Sequence, residues 1–215
     1  MNPSPSPRFL IADDHQVVRR GLRQLLEDGY PDCQCREATN GAEALQAVYE
    51  GDWDLVVLDV NMPGRSGIDV LAEIKKVKPG LPVLILSMYS ESEYAIRALK
   101  AGASGYVQKS AVTVEMLDAV SKALGGGRYI TPSLAELLAS SIGLDADKKP
   151  HESLSEREFE VMQLIANGKS VKEISRILSL SEKTVFTYRS RLLAKLGLSG
   201  DVDIARYAIR HGIVD

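Results

Sequence analysis

Five short β-rich runs alternate with stretches of helical periodicity through the first 125 residues, and few folds accept that order. The runs are FLIAD (9–13), CQCREA (33–38), LVVLDV (55–60), PVLILS (82–87) and SGYVQK (104–109). Between and after them, apolar stripes at helical spacing comprise Val17, Val18, Leu22, Leu25 and Leu26, then Ala44, Leu45 and Val48, then Ile68, Leu71, Ile74 and Val77, then Ile96 and Leu99, and finally Val114, Leu117, Val120 and Leu124. Asn40/Glu43 and Ser90/Glu93 carry the spacing of helix-start caps. Strand and helix in strict alternation predict right-handed crossovers and a doubly wound α/β fold with a five-stranded parallel sheet. Nearly continuous apolar strands such as LVVLDV and PVLILS suit a sheet covered on both faces.

The chain then changes character. The stretch GGGRYITPSLAELLASSIGLDADKKPHES opens on glycines, holds a short amphipathic piece near 133–141 and ends polar, which reads as an extra helix and a linker. From Leu154 onward the pattern is helical. Ser155/Glu158 and Ser170/Glu173 are capping boxes opening runs with Phe159, Met162, Ile165 and Ala166, and then Ile174, Ile177 and Leu178. Further helices are expected from about Glu182 to Leu196 and from about Val202 to His211. Gly168-Lys169-Ser170 imitates the end of a phosphate-binding loop, but the first glycine of that pattern would fall on Gln163 within a helix. The expected division is 1–125, a linker over 126–152, and a small all-α domain over 153–215.

With 45% hydrophobic and 26% charged residues the composition is that of a soluble globular protein, and no window approaches a membrane span. The start lacks the apolar stretch of a signal peptide, so the cytoplasm is the expected compartment. Cys33 and Cys35 are the only cysteines, and no nearby histidine completes a metal site with them. His15, His151 and His211 are scattered. Between Lys183 and Lys195 lie Arg189 and Arg191 and no acid, a basic run on an expected helix.

The third strand ends in Asp59 and breaks at once into Asn61, Pro63 and Gly64. Open parallel sheets bind ligands beyond the carboxyl ends of their strands, and Asp13, Asp14, Asp59, Ser87 and Lys109 all fall at such ends. Clustered carboxylates favour a shared proton or a hard cation such as Mg²⁺. A lysine and a hydroxyl beside them suit an incoming phosphoryl group, whose transfer depends on positioning and charge neutralisation. Asp59 is thus the candidate nucleophile, Asp13 and Asp14 the candidate metal ligands, and Lys109 the phosphate partner.

The segments IADDH, VVLDVNMPGRSGID, VLILS and GASGYVQKS resemble the receiver domain of bacterial two-component response regulators over about residues 7–125. That resemblance implies that the Asn61 carbonyl completes the metal shell and that Ser87 and Tyr106 form a switch pair moving inward on phosphorylation. Ser110 follows Lys109 where many receivers have proline. LSEREFEVMQLIANGKSVKEISRILSLSEKTVFTYRSRLLAKLG (154–197) resembles the LuxR-type helix-turn-helix, so the whole chain is similar to NarL/FixJ-type response regulators.

By that resemblance Glu182–Leu196 is a recognition helix. Val185, Leu192 and Leu196 face the core, while Lys183, Thr184, Phe186, Thr187, Tyr188, Ser190, Arg191 and Lys195 are the candidate contacts to double-stranded DNA. Lys183, Arg191 and Lys195 suit phosphates, and Phe186, Thr187 and Ser190 occupy base-facing positions by analogy. Many relatives have lysine where Phe186 stands. The family further implies a histidine kinase or phosphotransfer protein as phosphodonor, a homodimer when phosphorylated, and no membrane and no enzymatic turnover. Two rivals stand beside this reading: a receiver serving only as a dimerisation scaffold, and an aspartyl-phosphate hydrolase. The hydrolase pattern asks for a second acid where this chain has Asn61.

Overall fold

A computed structural model describes residues 6–62, 65–88, 93–141 and 150–214. The first part holds β1 (Arg8–Ala12), α1 (Gln16–Gly29), β2 (Gln34–Ala38), α2 (Gly41–Glu50), β3 (Leu55–Asp59), α3 (Gly67–Val77), β4 (Val83–Ser87), α4 (Glu93–Lys100), β5 (Gly105–Gln108) and α5 (Val112–Leu124). All neighbouring strands pair in parallel, in the order β2-β1-β3-β4-β5. Every residue of β3 and β4 is buried, whereas edge strand β2 has exposed and half-buried positions among QCREA, as a sheet margin requires.

Side chains alternate across the sheet. Phe9, Ile11, Leu55, Val57, Leu84, Leu86 and Val107 share one core with Leu22 and Leu26 of α1 and Met116, Ala119 and Val120 of α5. Leu10, Val56, Leu58 and Ile85 are equally buried on the alternate positions. The expected helices are present, and the stripes of α1 and α5 lie in or against the core through Val18, Leu22, Leu25 and Leu26 and through Val120 and Leu124, apart from one first-turn residue in each. Arg19, Leu22 and Leu26 are the buried residues of α1, leaving Val17 85% exposed. In α5 the buried set is Met116, Ala119, Val120 and Ala123, with Val114 82% exposed. A 3₁₀ turn over Lys109–Ala111 leads directly into α5.

Helix α6 (Pro132–Ser141) follows. The remainder comprises a 3₁₀ turn at Pro150–Ser153, α7 (Glu156–Ala166), α8 (Val171–Ile177), α9 (Glu182–Leu196) and α10 (Asp201–Arg210). The chain divides into two compact units, Met1–Leu137 and Leu138–Asp215. Local chemistry starts the helices where expected. The Asn40 side chain accepts from the Glu43 N–H, and Ser155/Glu158 and Ser170/Glu173 form complete capping boxes. The expected Ser90/Glu93 cap lies outside the described residues at Ser90. Phe159, Met162, Ile174, Val185, Leu192, Ile204 and Ala208 are buried in the second unit. There α7 packs on α9 and α10, and α8 on α9. Gly197, at φ +66°, terminates α9 in the left-handed conformation that glycine adopts without strain.

Candidate functional site

β1 and β3 are neighbours in the sheet although α1, β2 and α2 separate them in sequence, and this reversal of winding opens the crevice used by doubly wound sheets. Asp13 directly follows β1 and Asp59 closes β3, their strands held in register by Ala12 opposite Leu58. Both are buried, at 0% and 1% exposure, so neither carboxylate can rely on bulk water. Lys109, beginning the turn after β5, reaches both: its Nζ lies 2.7 Å from Asp13 Oδ2 and 3.0 Å from Asp59 Oδ2.

Backbone groups hold the acids. The His15 N–H donates to Asp13 Oδ1 at 2.7 Å, and the Asn61 N–H to Asp59 Oδ1 at 3.2 Å. Gly67, the first residue of α3, donates its N–H to the Val60 carbonyl. A Cβ there would stand 2.1 Å from the Asp59 carbonyl oxygen, so only glycine lets this helix start against the strand end that carries Asp59.

Burial, and then the Asp13 carboxylate, push Asp59 up to about 6 against the pull of Lys109. Burial would depress the Lys109 ammonium, but Asp59 and Asp13 outweigh it and hold the group above its ordinary value. One ammonium cannot neutralise three acids. Asp13, Asp14, His15 and Asp59 each offer a ligand atom, all within 4.8 Å of one another. The three carboxylates give oxygen donors of the kind Mg²⁺ prefers, so the residues fit a hard cation.

Ser87 closes β4 and Tyr106 lies on β5 opposite Ile85; both are fully buried. No peptide bond among the described residues is cis, including Lys109–Ser110. Sequence reasoning passed over two neighbours of the acids. His15 Nδ1 lies 2.6 Å from Asp14 Oδ1, and buried Arg19 donates to the Asp13 carbonyl at 2.7 Å. The adjacency in IADDH signals the first; a charged residue at helical spacing with Leu22 and Leu26 signals the second. Cys33 and Cys35 are free thiols with Sγ atoms 3.7 Å apart, and burial, followed by the Cys33 neighbour, pushes Cys35 up to about 12.

On α9, Lys183, Phe186, Thr187, Ser190 and Arg191 are exposed, while Thr184 and Tyr188 are half-buried. Thr184 belongs to the helix start, its N–H donating to Ser181 Oγ at 3.1 Å. Lys195 is also at the surface, but its Nζ lies 2.6 Å from Glu158 Oε2 and 3.2 Å from the Ser153 carbonyl oxygen. Arg189 pairs with Asp201 at 2.6 Å, tying α9 to α10.

Residues 9–121 match the response regulator receiver domain family, and 152–208 match the bacterial regulatory proteins of the luxR family. Response regulator UvrY of Escherichia coli is 37% identical over 205 residues, covering 95% of this chain and 94% of UvrY. Response regulator GacA of Pseudomonas aeruginosa is 37% identical over 216 residues, covering 97% and 98%. Among solved structures, RcsB of Salmonella enterica serovar Typhimurium, bound to promoter rprA with the phosphomimetic BeF3−, is 27% identical with a TM-score of 0.61, covering 94% of this chain and 98% of that one. ChrA, from a heme-sensing two-component system, is 32% identical with a TM-score of 0.51, covering 98% and 100%. Matched in both halves and along nearly its whole length, the chain belongs to the response regulators of the NarL/FixJ type, in which a receiver domain precedes a luxR-family DNA-binding domain.

Proposed function

We propose that Asp59 is the phosphoacceptor through which this regulator controls transcription. The observation that carries this is a nearly water-free carboxylate at the winding reversal, 3.0 Å from the buried Lys109 ammonium and beside Asp13. Asp59 attacks phosphorus, the donor's leaving group departs, and an acyl phosphate remains. Lys109 pairs with the phosphoryl oxygens. Asp13, Asp14, Asp59 and the Asn61 carbonyl would hold Mg²⁺, which when bound supplies positive charge for those oxygens. Ser87 and Tyr106, buried on adjacent strands, are assigned the switch. The phosphodonor is a histidine kinase or phosphotransfer protein.

The working division is 1–125 receiver, 126–152 short helix and linker, and 153–215 DNA-binding domain, supported by the two family matches. RcsB, a structural relative, is solved on DNA and as dimers. On double-stranded DNA we assign phosphate contacts to Lys183 and Arg191, and assign the exposed Phe186, Thr187 and Ser190 to base edges. Thr184 and Tyr188 flank that face. Lys195 serves a phosphate only by exchanging Glu158 for it. Phosphorylation favours a homodimer, to which α10 offers the exposed apolar side chains Val202 and Ile209. The chain acts as a cytoplasmic switch without catalytic turnover; no described helix is long and apolar enough to cross a membrane. Asn61 stands where the hydrolase pattern has an acid, which supports the switch over the hydrolase.

Intact-mass analysis after acetyl phosphate and Mg²⁺ treatment is expected to show one phosphoryl group per chain, absent from Asp59→Asn. No adduct, an adduct retained by Asp59→Asn, or sustained multiple turnover of the donor would overturn this reading.

A further inference from the structure

The Asp13–Asp14 pair is held from behind by a residue outside the acidic pocket. Arg19 on α1 is 8% exposed. Its guanidinium divides its bonds: one terminal N–H donates to the Asp13 carbonyl at 2.7 Å and Nε–H donates to Glu37 Oε2 at 2.9 Å. Glu37, on β2, also accepts from Arg23 at 3.2 Å, and Arg23 donates to the Cys35 carbonyl at 3.1 Å. The clamp therefore runs from the edge strand, through α1, to the turn that presents the acids.

The bond to the Asp13 carbonyl has a defined consequence. Because a peptide unit is planar, holding that oxygen restrains the plane joining Asp13 to Asp14, and with it the Asp14 N–H and Cα from which the second carboxylate is carried. The other handles of Asp13 are already taken: its N–H donates to the Ala38 carbonyl at 3.2 Å, and its Oδ1 accepts from the His15 N–H at 2.7 Å. Among the described residues the Asp13 carbonyl takes its side-chain hydrogen bond from Arg19, and beyond it His15 Nδ1 lies 2.6 Å from the Asp14 carboxylate. Glu37 pairs with the guanidinium of Arg19, and Arg23, which shares Glu37, pairs also with Glu27, so the charge of Arg19 is largely offset and its hold on the pocket is chiefly geometric. A lysine has no rigid fork with which to reach both partners.

We infer that Arg19 is a positioning residue that sets the spacing of Asp13 and Asp14 for divalent-cation binding, with Glu37 orienting its guanidinium. This rests on the phosphoacceptor reading above, but its test is separate. Outer partners of metal ligands typically govern affinity by about 10- to 100-fold. The full-length chain is titrated with Mn²⁺, with free ion followed by electron paramagnetic resonance and no phosphodonor present. Arg19→Met is expected to weaken Mn²⁺ binding by roughly 10-fold. It should shift the Mg²⁺ midpoint of acetyl phosphate labelling by a similar factor while the rate at saturating Mg²⁺ stays near that of the parent. Arg19→Lys is expected to fall between the two, and Glu37→Gln to weaken binding less than Arg19→Met.

Unchanged Mn²⁺ affinity in Arg19→Met would overturn the inference, as would a lost plateau rate with an unmoved midpoint. If Arg19→Met fails to fold by circular dichroism, Arg19→Lys and Glu37→Gln decide: weakened Mn²⁺ binding in both supports the clamp, and parental affinity in either overturns it. Failure of the parent to bind Mn²⁺ or take label would instead sink the phosphoacceptor reading.

Discussion

Asp59 is expensive to keep ionised, and that cost is measurable. Its folded value of about 6 lies above the ordinary 3.8, so between those pH values the folded chain holds more protons than the unfolded one. The stability this group contributes is present at low pH and lost as pH rises through that window, by about 3 kcal/mol in total. In Mg²⁺-free buffer Asp59→Asn is therefore expected to be more stable than the parent at pH 7.5, by at most that amount, which already includes the pull of Lys109. The gain should disappear near pH 4. Calorimetry at the two pH values checks it, and a variant less stable at pH 7.5 would show that the lysine pair outweighs burial and repulsion. The acids, lysine and serine were readable because their types recur at strand ends. Arg19 was readable only as a charged residue at the spacing of an apolar stripe; its partners, a backbone carbonyl and Glu37 on β2, were not.

Among the elements, α9 divides its labour by face. Val185 and Leu192 anchor it in the core, leaving Lys183 and Arg191 exposed. Counter-ion release makes log affinity for duplex DNA fall with log salt in proportion to the phosphates engaged. Lys183→Ala and Arg191→Ala are each expected to weaken binding across all sequences and to lower the magnitude of that slope by about 1. Fluorescence anisotropy over a salt series reads this, and an unchanged slope in both variants would remove α9 from the phosphate contacts. Helix starts were legible because a serine and a glutamate three residues apart are a local device. The ends of the apolar stripes were less so. Val17 and Val114 fit a periodic stripe on paper, yet both face solvent in the first turn of their helices, because periodicity alone does not say where along a helix its contact with the core begins.

For the molecule as a whole, phosphorylation acts only through the difference in free energy it makes between two states. A tenfold rise in DNA affinity needs about 1.4 kcal/mol, far less than the about 5.5 kcal/mol that would turn a population over completely. Graded control is thus the expected behaviour. With acetyl phosphate and Mg²⁺, sedimentation velocity should show a shift from monomer towards dimer and binding assays a gain in DNA affinity of about tenfold. Asp59→Asn should keep the basal binding and lose the gain. A gain retained by Asp59→Asn would favour the scaffold reading, in which the receiver dimerises without phosphorylation.

The order of elements, the parallel sheet, the capped helix starts and the identity of the acidic residues were all decided by the chain, because each rests on local periodicity or on a residue type with few alternative uses. What folding alone decided was which groups share a dielectric. Tertiary packing buries Asp13 and Asp59 against one ammonium, places Gly67 where a methyl group cannot fit, and sends Arg19 inward to hold a carbonyl. Those facts depend on distances between segments far apart in sequence, and a one-dimensional pattern carries no such distances.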